Sequence, residues 1–377
     1  MKVFVIAGEP SGDRLGQAVM AGLRQLRPEV VFDGVGGPLM QSEGLVSLFP
    51  MDELSLMGIA EILPKYLHLK RRIAQTAQAA IAARPDVLLT IDSPDFCLRV
   101  ARQVRTAGAT RIVHYVAPTV WAWRPGRAAK MARHVDQVLA LFPFEPPYMQ
   151  AAGMDCDFVG HPVVAEVQAS AAEGRAFRSE HGIGDAPLIL ALPGSRRGEV
   201  TRLAVRFGAA LQAVLATRPE ARVVVPCAGP VAALVGELTV DWPGAPLLIA
   251  PGDKAQKRAA FRAADVALAA SGTVSLELAA AGTPMVIAYD MSWLSRQIIS
   301  RMLLVDTVTL VNLVSETRVV PEFIGEDCKP GPIAAALLAV MAAPQAQQAA
   351  MAITMERLGK GQTAPGVRAA QAILDRL

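Results

Sequence analysis

Aromatic residues are scarce in this sequence. Phe, Trp and Tyr make up 5% of the 377 residues, although the apolar fraction as a whole reaches 52%. Alanine, valine and leucine therefore supply most of the apolar surface, which is typical of helices packed on parallel sheets rather than of a β-sandwich. A chain of this length is expected to form two domains, each with its own core.

Cysteines are also few, and the four present are far apart in the sequence, with no Cys-x-x-Cys pair and no histidine at metal-ligand spacing. Neither a disulfide framework nor a zinc site is predicted, which fits reduced thiols in the cytoplasm. No metal and no other cofactor is expected. The formal net charge of +3 is too small to indicate nucleic acid as a partner.

Long hydrophobic runs are missing as well. Mean hydropathy is +0.34, yet no apolar run reaches the 18 residues that a bilayer-spanning helix needs. The apolar stretch at residues 3–6 is too short for a secretory signal and is predicted to be a strand.

What the sequence does contain is a regular alternation of short β-rich runs and alanine-rich helical stretches. Strands are predicted at residues 3–7, 87–91, 111–116, 138–141, 188–192, 222–226, 266–269 and 285–288. The alternation predicts an α/β protein with two Rossmann-like, doubly wound sheets that face one another across a cleft, with ligands at the carboxyl ends of the strands. It lapses between residues 160 and 184, so the expected domains are 1–165 and 166–345. A helical segment, 346–377, is expected to follow and either to pack back on the first domain or to be exchanged between protomers.

Two turns of the second domain have the composition of an anion site. The strand at 188–192 leads into a turn with a glycine and an arginine, and the strand at 266–269 leads into a second turn before a helix. Backbone N–H groups at a helix start and a forked arginine can bind phosphate oxygens. A tight turn or ordinary helix capping would explain the same residues. The candidate nucleotide-binding residues in these turns are Gly194, Ser195, Arg196, Ser271, Gly272 and Thr273, with Glu277 one turn into the second helix.

The first domain carries a different set. The first predicted strand is followed by a turn that contains Ser11, Gly12 and Asp13. This turn does not have the Gly-x-Gly-x-x-Gly dinucleotide fingerprint. Its acidic Asp13 suits sugar hydroxyls better than a pyrophosphate. A capped helix start is the alternative. The strand at 87–91 delivers Asp92 and Asp95 to the acceptor side, where one of them is a candidate general base for a sugar hydroxyl. A helix cap is the alternative for Asp95.

Two further segments leave alternatives open. Trp121 and Trp123 suit either core packing or contact with a sugar or acyl chain. Residues 54–72 combine apolar residues at helical spacing with lysines and arginines, which suits either a helix lying in an anionic membrane surface or a core helix with a solvated face. The candidate membrane-facing residues are Leu56, Met57, Ile59, Leu63, Tyr66, Lys70 and Arg71.

Taken together, the motifs resemble those of the lipid-A-disaccharide synthases, a family of bacterial glycosyltransferases. The matching stretches run in order along nearly the whole chain: AGEPSGD (7–13), MGIAE (57–61), IDSPDF (91–96), HYVAPTVWAWR (114–124), LPGSR (192–196), ASGT (270–273) and NL (312–313). The WAWR and IDSPDF combinations are the most specific. Val311, where the family usually has proline, and the segment 197–199 depart from the pattern.

The resemblance implies a GT-B fold that uses UDP-2,3-diacylglucosamine as donor and 2,3-diacylglucosamine 1-phosphate as acceptor. It implies that Asp92 is the general base, that Ser11 lies on the acceptor side, and that Arg196, Glu277 and Asn312 lie around the nucleotide. It also favours a peripheral protein on the cytoplasmic face of the inner membrane, and it raises a homodimer with exchanged C-terminal helices. The alternatives are an epimerase of UDP-N-acetylglucosamine, a peptidoglycan-type glycosyltransferase, and a non-catalytic protein that binds nucleotide-sugars.

Overall fold

The structure is a computed structural model that describes residues 1–54, 62–291, 297 and 302–377, with no side chains described for 62–66. The chain divides into two compact units. Unit 1 comprises Met1–Ala165 and Leu358–Leu377, and unit 2 comprises Glu166–Arg357. The first division coincides with the boundary expected at 165/166, whereas the predicted segment 346–377 is divided between the two units.

Unit 1 is built on a parallel sheet of seven strands, in the order β3-β2-β1-β4-β5-β6-β7. The strands are β1 (Lys2–Ala7), β2 (Val31–Val35), β3 (Val46–Ser47), β4 (Val87–Ile91), β5 (Arg111–Tyr115), β6 (Gln137–Ala140) and β7 (Asp155–Phe158). The helices are α1 (Pro10–Leu26), α2 (Pro38–Ser42), α3 (Ile62–Ala83), α4 (Pro94–Ala107), α5 (Gly126–Met131) and α6 (Pro146–Gln150). Prolines at the first helical positions of α1 and α4 suit a position that has no intrahelical N–H partner to lose.

Unit 2 contains a parallel sheet of six strands, in the order β10-β9-β8-β11-β12-β13. The strands are β8 (Leu188–Leu192), β9 (Arg222–Pro226), β10 (Leu247–Ile249), β11 (Val266–Ala269), β12 (Met285–Tyr289) and β13 (Glu322–Ile324). The helices are α7 (Ala171–Glu180), α8 (Arg197–Thr217), α9 (Ala232–Thr239), α10 (Lys254–Ala263), α11 (Val274–Ala281), α12 (Leu310–Ser315), α13 (Pro330–Ala342) and α14 (Gln345–Arg357).

The central strands are buried on both faces. Every residue of β4, β8 and β11 is buried, which is why these strands are almost entirely apolar rather than alternating. Each unit has its own core, as the length predicted. Phe4 and Ile112 belong to the core of unit 1, and Phe207 and Leu337 to that of unit 2.

The last helix, α15 (Pro365–Leu374), returns to unit 1 and packs closely on α1. Glycines make this contact possible, because a Cβ atom added to Gly22 would lie 2.6 Å from the carbonyl oxygen of Gly366. The guanidinium of Arg376 adds two hydrogen bonds of 2.8 Å to the carboxylate of Asp157 on β7. The C-terminus is thereby anchored to the unit that contains the N-terminus.

The predicted fold class is confirmed. All eight predicted strands are present within one residue of the expected bounds, and five further strands, β2, β3, β7, β10 and β13, were not predicted. In the described ranges no single helix is long and apolar enough to cross a membrane. One pair, α13 and α14, passes the same test together by length and composition, but it bends by 83° at the break.

Candidate functional site

Both sheets reverse their strand order at a corresponding place. In unit 1 the reversal lies between β1 and β4, and in unit 2 between β8 and β11. Loops that leave neighbouring strands in opposite directions open a crevice at their carboxyl ends, where doubly wound sheets bind ligands. Apart from Asn312, the candidate base, acceptor-side and nucleotide-binding residues lie on the loops and first helical turns that follow these four strands.

In unit 2, the loop after β8 requires glycine at position 194. Gly194 has a φ of 116°, and an added Cβ would lie 2.8 Å from the Oε2 atom of Glu199. That carboxylate is buried and accepts hydrogen bonds from the N–H of Ser195 (3.4 Å) and from the guanidinium of Arg196 (3.1 Å). Glu199 therefore fixes the loop from behind, a role that the sequence analysis missed.

The loop after β11 does not use its hydroxyls as caps. Thr273 occupies the N-cap of α11 without a side-chain capping bond, and the local hydrogen bond to the Gly272 carbonyl comes instead from Ser275, at 2.9 Å. Helix capping therefore does not explain Ser271 and Thr273. Both residues remain available on the loop surface.

These two loops border one cavity of about 430 Å³ in unit 2. It brings together seven of the eight predicted nucleotide-binding residues: Gly194, Ser195, Arg196, Ser271, Gly272, Thr273 and Glu277. The first turns of α8 and α11 both begin at its wall, so N–H groups that have no intrahelical partner are concentrated there. Combined with Arg196, this arrangement favours an anionic ligand.

A lysine that the sequence analysis did not select completes the wall. The Nζ atom of Lys257, on α10, lies 2.6 Å from the Oε2 atom of Glu277, and both residues line the cavity. The lysine holds one carboxylate oxygen and leaves the other available as an acceptor. Helix α10 contains Lys254 as well as Lys257, and nothing in its sequence singles out Lys257 for this pairing.

Asn312 does not line the cavity. Its side chain is 1% exposed; its Nδ2 atom donates to the carbonyl of Val320 at 2.9 Å, and its Oδ1 atom accepts from the N–H of the same residue at 3.0 Å. The observed role of Asn312 is to join α12 to the segment before β13. The role at the nucleotide that the resemblance implied stays a prediction, and these contacts do not support it.

In unit 1, Asp92 directly follows β4 in an unusual backbone conformation. Asp92 and Ser93 have φ values of 51° and 41°, and Val116, after the neighbouring strand β5, has a φ of 86°. Positive φ is costly for such residues and clusters at functional sites. The N–H of Asp92 is held by the carbonyl of Tyr115 at 3.0 Å. Within the described ranges, no hydrogen bond or ion pair engages the Asp92 carboxylate.

The turn after β1 lies against this segment. A Cβ added to Gly8 would lie 2.7 Å from the Oγ atom of Ser93, and one added to Gly12 would lie 3.5 Å from the carbonyl oxygen of Ile91. Ser11 and Asp95 are exposed in the first turns of α1 and α4, which follow these paired strands. The structure thus gathers the turn 8–13 and Asp92 at one edge of the sheet.

Asp13, by contrast, is used internally. Its carboxylate is 3% exposed and accepts hydrogen bonds from the N–H groups of Gly37 (2.9 Å), Leu39 (3.0 Å) and Met40 (3.0 Å). It therefore caps α2, and its predicted contact with an acceptor sugar has no support from its position.

The candidate membrane-facing residues are only partly described. Leu56, Met57 and Ile59 lie outside the described residues, and the side chains of Leu63 and Tyr66 are not described either. Further along α3, Lys70 and Arg71 are exposed, and so is Leu67, at 61%.

The sequence contains one Asp-x-Asp, formed by Asp155 and Asp157 on β7. Asp155 pairs with Arg111 at 3.0 Å and Asp157 with Arg376 at 2.8 Å, so both carboxylates are engaged in ion pairs. In the described ranges no group of three or more His, Cys, Asp or Glu residues is placed to hold a metal ion. The expectation of metal-independent chemistry stays a prediction.

Comparison with a solved structure identifies the fold of this chain. The UDP-GlcNAc 2-epimerase from Neisseria meningitidis, solved bound to UDP-GlcNAc, superimposes with a TM-score of 0.62 at 12% identity over 100% of this chain and 99% of its own. The fold is thus the GT-B type that glycosyltransferases and such epimerases share.

The family model described as lipid-A-disaccharide synthetase matches residues 3–374. Lipid-A-disaccharide synthases from Ruegeria pomeroyi and Rhodospirillum centenum are 67% and 48% identical to this chain; they match 100% and 99% of it, and 96% and 94% of their own lengths. The chain belongs to the lipid-A-disaccharide synthase family. It is a glycosyltransferase of lipid A biosynthesis, and the epimerase and the non-catalytic binding protein are excluded.

Proposed function

We propose that this enzyme transfers 2,3-diacylglucosamine from UDP-2,3-diacylglucosamine to the 6-hydroxyl of 2,3-diacylglucosamine 1-phosphate. The products are UDP and a β-1,6-linked disaccharide 1-phosphate. The observation that carries the proposal is the cavity of unit 2, in which a glycine turn, an arginine, two helix starts and an acidic residue meet.

The uridine diphosphate is assigned to that cavity. Arg196 and the N–H groups at the starts of α8 and α11 bind the diphosphate, because its oxygens carry the negative charge that both attract. Glu277 accepts hydrogen bonds from ribose hydroxyls through the oxygen that Lys257 leaves available. The Neisseria epimerase of the same fold was solved with UDP-GlcNAc, which supports a UDP-sugar as the ligand class.

Asp92 is the proposed general base. Its carboxylate has no partner among the described residues, it follows a buried strand, and a strained backbone holds it there. It takes the proton of the acceptor 6-hydroxyl as the oxygen attacks the anomeric carbon. The new O6–C1 bond forms on the face opposite the departing UDP, so the α-linked donor gives a β-linked product. Arg196 and the helix-start amides stabilise the charge that grows on the leaving diphosphate, without a metal ion in this proposal.

The acyl chains of both substrates bring the enzyme to the cytoplasmic face of the inner membrane in this proposal. Exposed Leu67 beside Lys70 and Arg71 supports that contact, since apolar and basic side chains together bind anionic lipid surfaces. Flotation with vesicles containing anionic lipid checks this point, and equal recovery with neutral vesicles would remove the electrostatic component.

The reaction is tested with the purified full-length chain, both lipid substrates, and mass spectrometry of the disaccharide, with and without EDTA. Absence of disaccharide would overturn the proposed reaction, whereas inhibition by EDTA would overturn only its independence of metal. Asp92→Asn should lower turnover by about 10²- to 10⁴-fold, the usual contribution of general base catalysis, while UDP binding is retained.

Asp95→Asn is the matched control, because Asp95 follows the same strand and is exposed in the first turn of α4. It should retain near-normal turnover. The reverse outcome, with Asp95→Asn inactive and Asp92→Asn active, would assign the base to Asp95.

A further inference from the structure

The two tryptophans of the segment 121–124 have different surroundings. Trp121 is 9% exposed, packs edge-on against Phe144 at a ring separation of 5.0 Å, and donates from Nε1 to the buried Glu145. Core packing explains it fully. Trp123 lies two residues later at the surface and is only half-buried, so the core does not explain it.

Two arginines approach the indole of Trp123. The guanidinium carbon of Arg124 lies 4.4 Å from the ring centroid and that of Arg127 lies 5.9 Å from it. The indole is itself fixed, because its Nε1 donates to the Oγ1 atom of Thr119 at 2.9 Å. Trp123, Arg124 and Arg127 together form the arginine–tryptophan cluster.

Two features of this cluster are unfavourable without a ligand. Arg124 has a φ of 51°, which L-residues rarely adopt, and the two guanidinium groups share one ring although they repel each other. In the described part of the chain neither arginine forms an ion pair with a carboxylate. A guanidinium presents N–H donors in a planar fork that matches phosphate oxygens, and stacking on an indole limits its freedom before binding. An anion with several oxygens, such as a phosphate monoester, satisfies both groups.

The position of the cluster relates it to Asp92. The cluster lies on the loop after β5, and Asp92 follows the neighbouring strand β4, so both stand at the same edge of the sheet of unit 1. In the proposed acceptor, the anomeric phosphate on C1 and the 6-hydroxyl, carried through C5, lie on either side of the ring oxygen. A phosphate site on one loop and a base on the adjacent loop would hold such a sugar by both groups.

We propose that the arginine–tryptophan cluster binds the anomeric phosphate of the acceptor and thereby positions the 6-hydroxyl at Asp92. The inference rests on the proposed function. It makes the phosphate, rather than the sugar or the acyl chains, the feature that separates acceptor from donor, because the donor carries its diphosphate to unit 2.

The test combines two acceptors with four variants. The acceptors are 2,3-diacylglucosamine 1-phosphate and the same lipid without phosphate, and kcat/KM is measured for Arg124→Ala, Arg127→Ala, Arg124→Lys and Arg102→Ala. The last is the matched control, an exposed arginine on α4 beyond its first two turns. Thermal unfolding of each variant reports on folding.

With the phosphorylated acceptor, Arg124→Ala and Arg127→Ala should lower kcat/KM by about 10- to 100-fold, as expected for lost charged hydrogen bonds. With the dephosphorylated acceptor they should change it little. Arg124→Lys should keep part of the preference for phosphate, and Arg102→Ala all of it.

Equal losses of kcat/KM with both acceptors would overturn the phosphate site. A wild-type enzyme that does not prefer the phosphorylated acceptor would overturn it as well. The proposed function would survive both results. A wild-type enzyme that forms no disaccharide from either acceptor would overturn the proposed function and this inference with it.

Discussion

Arg196 and Arg197 are adjacent, equally charged and exposed, yet only Arg196 lines the cavity of unit 2. Replacing each with alanine removes the same charge from neighbouring positions, the N-cap and the first residue of α8. The ion pair between Arg196 and Glu199 contributes little to folding, because the arginine side chain is 82% exposed and such pairs contribute about 0–1 kcal/mol. Both variants should therefore unfold within a few degrees of the wild type.

Their effects on UDP binding should differ. Charged hydrogen bonds to phosphate contribute about 1.5–3 kcal/mol, and at about 1.4 kcal/mol per tenfold the loss of Arg196 should raise the Kd for UDP roughly 10- to 100-fold. Arg197 acts only through the general field, which 0.15 M salt screens over about 8 Å, so the Kd should rise less than about threefold. Isothermal titration calorimetry in 0.15 M salt measures both. Equal weakening by the two substitutions, or an unchanged Kd in Arg196→Ala, would refute the phosphate role of Arg196.

Three further predictions concern unit 1. Burial raises the pKa of Glu145 to about 7 from an ordinary value of 4.5, so folding favours its protonated form; that stabilisation is complete below pH 4.5 and is lost as the pH rises to 7. The melting temperature of Glu145→Gln minus that of the wild type should increase between pH 4.5 and 7, by an amount equivalent to a change in unfolding free energy of up to about 3 kcal/mol. A difference that does not change with pH would contradict this. Gly22→Ala should destabilise by about 1–3 kcal/mol in urea unfolding, because its Cβ meets the Gly366 carbonyl, whereas Gly126→Ala, with open space around it, should not; equal midpoints would refute the close contact. Asp13→Ala leaves three N–H groups without their acceptor and should lower the melting temperature while UDP affinity is unchanged; unchanged melting with a raised acceptor KM would restore Asp13 to the acceptor site.

The fold was largely predictable because its central strands are fully buried. β1, β4, β8 and β11 are short, mainly apolar runs that end in turn residues before a helix. The strands that were not predicted lack such an apolar run. β2 contains Asp33 and Gly34, β7 alternates aspartates with apolar residues, and β3, β10 and β13 have only two or three residues each. Such strands form because they pair with a neighbouring strand of the sheet. The local sequence pattern does not reveal that pairing.

The site was predictable where the chemistry lies in one short turn. Six residues selected from two turns, with Glu277 in the following helix, line one cavity, since the carboxyl ends of adjacent parallel strands meet at the switch point. Partners from elsewhere in the chain were missed. Lys257 reaches Glu277 from α10, and the use of Asp13 depends on the backbone of α2, 24 residues away. The residue types and their spacing in the sequence do not reveal such tertiary contacts, nor do they reveal the positive φ at Asp92.

The two units share one topological device and differ in the loops that it positions. In each sheet the strand order reverses between the first strand of the unit and its neighbour in the sheet. Apart from Asn312, the candidate base, acceptor-side and nucleotide-binding residues lie on the loops and first helical turns after that pair. In unit 2 the loops present glycine, arginine and helix-start amides, which attract the charge of a diphosphate. In unit 1 they present the Asp92 carboxylate and exposed hydroxyl or acidic groups, which repel a diphosphate and suit a neutral sugar hydroxyl. In the proposed function the donor diphosphate therefore binds unit 2 and the acceptor binds unit 1, and the arginine–tryptophan cluster is the proposed source of positive charge for a phosphorylated acceptor, one strand away from Asp92.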